Sequence, residues 1–141
     1  MKCVIDTNGL LKSVPKFGQY KWLYDAWLNE QFIWVFSNEI LSEYAELIER
    51  RYSENAADFV LKILLTSQNH ERFEPSFKWN LIDIDPDDNK FVDCAVGAGV
   101  DYLVTEDRHI KNLRKQPDLF PPVPIITFKE FKEILVFNPF E

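Results

Sequence analysis

The sequence predicts an α/β fold in which a parallel sheet is covered by helices on both faces, and three observations carry that expectation. Short apolar runs such as "FIWVF" and "YLVT" alternate with longer segments whose apolar residues recur at helical spacing, the pattern of strand–helix–strand units. The chain has 141 residues, 46% of them hydrophobic, which supplies one core and is too short for two, so residues 1–141 are read as a single domain. No internal repeat or low-complexity segment interrupts the alternation.

Taken in order, "KCVID" (2–6) reads as a buried strand ending at Asp6, where the polar "TNG" breaks the apolar run. Residues 19–30 place Tyr20, Leu23, Tyr24 and Trp27 at helical spacing. "FIWVF" (32–36) is aromatic and β-branched and reads as a strand. Ser37 caps a helix over 38–51 with Ile40, Leu41, Tyr44, Leu47 and Ile48 on one face, and Ser53 opens another reaching Gln68. Residues 70–82 show neither period and are assigned to loop. Asp88 to Ala98 reads as a helix stopped by Gly99, followed by a strand at 102–105 and a short basic helix near 107–116. "QPDLFPPVP" (116–124) is a proline-stiffened connection, and "IIT" (125–127) is the last strand. Thr127 and Glu130 form a capping box for the terminal helix.

Composition narrows the function classes. A net charge of −7 argues against a surface that attracts nucleic acid everywhere, yet leaves room for a local basic patch. Four Trp, five Tyr and twelve Phe argue against a disordered chain; the aromatics of 19–36 serve either a core or an interface. Cys3 and Cys94 match neither a zinc spacing nor a disulfide framework, so free thiols in a reducing compartment are expected. "MKCVID" meets an acid at position 6, unlike a signal peptide, and no apolar run approaches the ~20 residues of a membrane span. A cytoplasmic location without membrane association is the expectation.

The acids are distributed unevenly. "DIDPDDNKFVD" (83–93) holds Asp83, Asp85, Asp87, Asp88 and Asp93. Acids suit a helix start by ~0.3–1 kcal/mol each, which explains some of them. Asp88 shares its helix face with Phe91, Val92 and Ala95 and so borders the core, whereas Asp87 and Asp93 read as solvated. Glu43 similarly borders an apolar face, three residues after Ile40 and four before Leu47. Asp6 ends one strand and Asp107 follows another by two residues, so both emerge on the rim where parallel sheets place functional groups.

An ionised carboxylate at an apolar margin is costly unless a cation accompanies it. Salt bridges from Arg108, Lys111, Arg114 and Lys115 are one solution; convergence of four acids on a divalent ion is the other, and acids on separate elements favour it. Oxygen ligands without His or Cys select Mg²⁺ or Mn²⁺. Other motifs fail. An EF-hand starting at Asp83 would need Gly where Asp88 stands and Glu where Cys94 stands, and the "GAG" at 97–99 follows a helix instead of opening one. No nucleophile elbow or P-loop is present, and His70 and His109 are assigned to solvent-facing positions.

"VIDTN" at the start, "SNEILSEY" (37–44) and "DPDDNKFVDCAVGAGVDYLVTED" (85–107) together resemble the PIN domain, a nuclease family that includes the toxin half of many bacterial toxin–antitoxin pairs. Within it the chain is similar to VapC-like toxins with the "DPDDNKF" signature. The resemblance implies a three-layer α/β/α architecture, PIN-like, with a parallel sheet of about five strands. It implies a metal-dependent endoribonuclease whose catalytic and metal-binding acids are Asp6, Glu43, Asp88 and Asp107, with Mg²⁺ or Mn²⁺ as cofactor and RNA as substrate. Asn8 and Thr105 are supporting groups, and Asp85 and Asp93 act from behind the four acids at most. An antitoxin protein is the implied partner, laid across the groove with a basic side chain among the acids, and a homodimer is the implied assembly. Arg108, Lys111, Arg114 and Lys115 are placed to guide an RNA backbone, although a basic last turn also stabilises a helix. Two readings compete: a non-catalytic PIN-like binding module, and an acid-cluster phosphotransfer protein. For the latter, a phosphatase would want Asp at the position of Asn8, and a receiver would want a Lys for which only Lys129 is available.

Overall fold

Cys3, Val4 and Ile5 are fully buried, which places the first strand, β1 (Lys2–Ile5), at the middle of the sheet with both faces covered. The computed structural model describes residues 1–14, 18–82, 85–115 and 123–137. After β1 come α1 (Thr7–Ser13), α2 (Lys21–Leu28), β2 (Ile33–Phe36), α3 (Asn38–Arg51), α4 (Glu54–Thr66) and β3 (His70–Arg72). A 3₁₀ turn (Pro86–Asp88) leads into α5 (Asn89–Ala98), then β4 (Tyr102–Val104), α6 (Arg108–Lys111) with a 3₁₀ extension (Asn112–Lys115), β5 (Ile125–Ile126) and α7 (Phe128–Phe137).

All strand pairings are parallel and the order is β3-β2-β1-β4-β5, with Val4 opposite Val35 on one side and Leu103 on the other. Among the described residues seven helices flank the five strands, giving the expected three-layer α/β/α architecture. From β1 the chain winds outward through β2 and β3, then returns by α5 to begin again on the far side of β1 with β4. The order therefore reverses between β1 and β4, and connections leaving those two strands in opposite directions open a crevice at their carboxyl ends.

Two elements depart from the sequence reading. β3 lies within residues 70–82, which were expected to be loop; as an edge strand of composition "HER" it carries no apolar period, and it is identified by its pairing to β2. α1 replaces the break expected after Asp6. Its Gly9 is needed for contact, since a Cβ there would sit 2.3 Å from the ring of the buried Phe128. Local chemistry elsewhere acts as expected. Ser37 and Ser53 accept from the backbone N–H groups of Ile40 and Ala56, and Thr127 and Glu130 cap each other's N–H at 3.1 Å. Gly99, at φ 63°, closes α5 with the paired Val100→Ala95 and Gly99→Val96 bonds of a Schellman motif.

Most of the aromatics between residues 19 and 36 are core. Trp27, Phe32, Trp34 and Phe36 are buried, with Trp27 edge-on to Trp34 at 5.7 Å and Phe32 edge-on to Phe131 at 5.2 Å. Tyr44 is fully buried and donates its hydroxyl to the Ile5 carbonyl, fixing α3 against the last residue of β1. Cys3 and Cys94 are free and buried, and burial pushes both thiols up, Cys94 to about 12, so neither is a nucleophile at neutral pH. No helix among the described residues is long and apolar enough to cross a membrane. Asp83 and most of the proline-rich connection (116–122) lie outside the described residues.

Candidate active site

The crevice between β1 and β4 is where the sequence-selected acids arrive. Asp6 follows β1 directly, is 7% exposed, and its peptide N–H is held by the Val104 carbonyl at 3.0 Å. Its Oδ2 accepts from the Thr105 hydroxyl at 2.8 Å, and the same hydroxyl oxygen accepts from the Asp107 N–H at 2.9 Å. Thr105, fully buried, thus links the ends of the two strands. Asp107 in turn caps α6, its Oδ1 accepting from the N–H groups of His109 (2.8 Å) and Ile110 (3.2 Å).

Asp88 reaches the same crevice from the entrance of α5. Asp85 caps that entrance through its Oδ1, which accepts from the Asp87 N–H at 3.2 Å, and Pro86 occupies the first turn where no donor is required. Behind it the buried Asn89 exchanges two 2.9 Å bonds with the backbone of Ile82, anchoring the preceding segment to the helix. Asp88 itself is left with a buried Oδ2 that has no hydrogen-bond partner among the described residues. Glu43 arrives from α3 with both oxygens engaged: Oε1 lies 2.8 Å from the Lys90 ammonium and Oε2 accepts from the Thr7 hydroxyl.

The electrostatics follow from that crowding. Burial pushes the Asp6 carboxyl up to about 6; the Thr105 hydrogen bond opposes this, while the charges of Asp107 and Glu43 add to it. Burial likewise pushes Asp88 up to about 7, reinforced by Asp107, Asp85 and Asp6 and opposed by His109. Asp6 therefore lies in the field of Asp107 and Glu43, and Asp88 in the field of Asp107, Asp85 and Asp6. A divalent cation fits this arrangement, because it would partner the orphaned Asp88 oxygen and relieve the mutual repulsion. Asp85, Asp88 and His109 also offer three ligand atoms all within 4.8 Å of one another.

Several expectations are corrected here. His109 is not solvent-facing: its Nδ1 is buried at the rim, 3.7 Å from Asp88 Oδ2. His70 is also half-covered, stacked on Phe36 with its Nδ1 2.8 Å from the Ser67 carbonyl oxygen. Asp93, expected in solvent, is buried and accepts from the Trp79 N–H at 3.0 Å. The basic quartet does not neutralise the four acids. Lys111 lies 3.5 Å from Glu106 and Arg114 3.3 Å from Glu130, while Arg108 and Lys115 are exposed. Among the described residues the cation that does reach the acids is Lys90, two residues beyond Asp88, and with Thr7 and His109 it is the part of the site that the sequence reading passed over. Asn8 has an exposed side chain, and its backbone N–H, not its amide, is what steadies Asp6.

Residues 2–109 match the family model described as PIN domain. Two solved structures share the fold. One is VapBC2 from Rickettsia felis bound to a DNA fragment from their promoter, at 16% identity and a TM-score of 0.64, covering 91% of this chain and 99% of that one. The other is VapC20 from Mycobacterium tuberculosis, described as a Sarcin-Ricin loop cleaving toxin, at 14% identity and a TM-score of 0.60, covering 78% and 94%. No curated protein sequence matches the chain. The matched span runs from β1 to His109 and takes in the whole crevice, and the chain belongs to the PIN domain family.

Proposed function

We propose that this chain is a metal-dependent endoribonuclease that hydrolyses RNA phosphodiester bonds, as the toxin of a toxin–antitoxin pair. The observation that carries the proposal is the buried Oδ2 of Asp88, which has no hydrogen-bond partner among the described residues and is set among acids at the reversal point of a PIN-family sheet. In this reading Asp6, Glu43, Asp88 and Asp107 are the catalytic acids and Mg²⁺ or Mn²⁺ is the cofactor. A divalent ion bound there supplies Lewis acidity, lowering the pKa of an attacking water and offsetting charge on the phosphate.

The chain's own residues prepare the site. Thr105 fixes Asp6, and the first turn of α6 fixes Asp107, so two neighbouring carboxylates stand in set orientations before anything binds. Lys90 holds Glu43 and brings positive charge to the edge of the crevice, where a phosphate would approach. Arg108 and Lys115 are exposed, which supports a role in contacting the RNA backbone, with Lys111 and Arg114 joining them once their surface pairs open. The fold likeness to a Sarcin-Ricin loop cleaving toxin supports RNA as substrate, and the likeness to VapBC2 supports an antitoxin partner. A homodimer, a cytoplasmic location and a single domain over 1–141 complete the proposal. The receiver alternative loses ground because its Lys129 is exposed on α7.

Cleavage of a structured RNA in Mn²⁺ by the wild type, Asp6→Asn and Asp88→Asn tests the assignment. Both variants are expected to lose activity by more than the ~10–100-fold typical of removing a metal's outer supports. Wild-type rates in both would remove the acids from the mechanism. Undiminished cleavage in excess chelator would remove the metal.

A further inference from the structure

We infer that His109 is a nitrogen ligand of the divalent ion, joining Asp85, Asp88 and the acids beside them, so that the centre is a mixed nitrogen–oxygen site and not a ring of carboxylates alone. Its Nδ1 and the Asp88 Oδ2 are both buried, neither has a hydrogen-bond partner among the described residues, and they face each other across 3.7 Å. That gap is too long for a hydrogen bond between them and short enough for one cation to touch both. Two desolvated polar atoms left unpaired in this way cost stability, and a shared ion removes the cost of both.

The imidazole is held where a ligand is needed. The His109 backbone is fixed by its N–H bond to Asp107 Oδ1 at 2.8 Å, which sets the ring at the first turn of α6, facing the entrance of α5. Asp85 is fixed by its own capping bond, and it contributes the third of the ligand atoms that lie within 4.8 Å of one another. A nitrogen donor alters which ion is preferred. Carboxylates alone suit Mg²⁺, whereas imidazole favours the transition metals, so Mn²⁺ is the ion this centre selects over Mg²⁺.

The inference rests on the reading of the crevice as a metal centre, and the experiment separates the two. The full chain is loaded with Mn²⁺ and studied by titration calorimetry and by pulsed EPR, which detects a ¹⁴N nucleus bonded directly to Mn²⁺. The wild type is expected to bind Mn²⁺ with a ¹⁴N modulation. In His109→Ala that signal is expected to vanish and Mn²⁺ affinity to fall at least ~10-fold, with a smaller change for Mg²⁺ measured by competition. Mn²⁺ binding by the wild type without ¹⁴N modulation would overturn the His109 assignment and leave the metal centre standing; this outcome needs no variant to fold. No Mn²⁺ binding at all would overturn both.

Discussion

The Glu43–Asp107 half of the crevice and the Asp6–Asp88 half carry the same formal charge but meet different neighbours. Glu43 has an ammonium on one oxygen and a hydroxyl on the other, and Asp107 accepts two peptide N–H groups on a single oxygen. Asp6 has one side-chain donor, Thr105, and Asp88 Oδ2 has none among the described residues. Burial pushes the Asp6 and Asp88 carboxyls up, to about 6 and about 7. The lesson is that an acid's need for a cation depends on which donors its surroundings already provide, and a count of acids does not reveal it.

Lys90 is the cation that distinguishes the first half. Lys90→Met keeps the aliphatic packing of the stem and deletes the charge, leaving Glu43 Oε1 unpaired at a partly buried position. Metal-free stability should fall by about 1–3 kcal/mol in urea denaturation. Divalent affinity, measured by calorimetry, should rise, because the crevice gains a net negative charge. No change in either would make the two halves electrostatically alike.

A smaller effect sharpens the second half. Thr105→Val preserves shape but removes the group that joins Asp6 Oδ2 to the Asp107 N–H. A stability loss of about 1 kcal/mol is expected, together with a ~10–100-fold loss of RNA cleavage, the usual effect of freeing a metal ligand from its support. Full activity in Thr105→Val would mean that Asp6 is oriented by other contacts.

Much of this architecture was legible in the sequence, and for identifiable reasons. Asp6 and Asp107 could be placed because a strand ends where its apolar run ends, and Asp88 and Glu43 because helical periodicity puts them beside buried neighbours. What escaped was pairing across elements. Nothing in the order of residues ties Lys90 to Glu43, since the two sit on α5 and α3 and meet only through packing. His109 was hidden differently: its sign was its place two residues after a helix-capping Asp, but whether Nδ1 faces solvent or the crevice depends on how α6 leaves β4. Asp93 shows the limit of helical angles, because its face looked solvated until the backbone of Trp79 covered it. β3 has no apolar alternation to reveal it, being three residues at the sheet edge.

Asp6 and Asp88 form a buried pair of acids with too few donors among the described residues to hold two negative charges, and the stability of the metal-free chain as a function of pH reports on that pair. Both carboxyls have folded-state pKa values above the ordinary carboxylate range, so the folded chain binds more protons than the unfolded one in that window. Stability should therefore be greatest in acid and decline as the pH rises through about 6 and about 7. The predicted result is a melting temperature lower at pH 8 than at pH 5, restored at pH 8 by Mn²⁺, with a shallower decline in Asp88→Asn. A melting temperature that neither falls over this range nor responds to Mn²⁺ would mean that the two carboxyls need no cation.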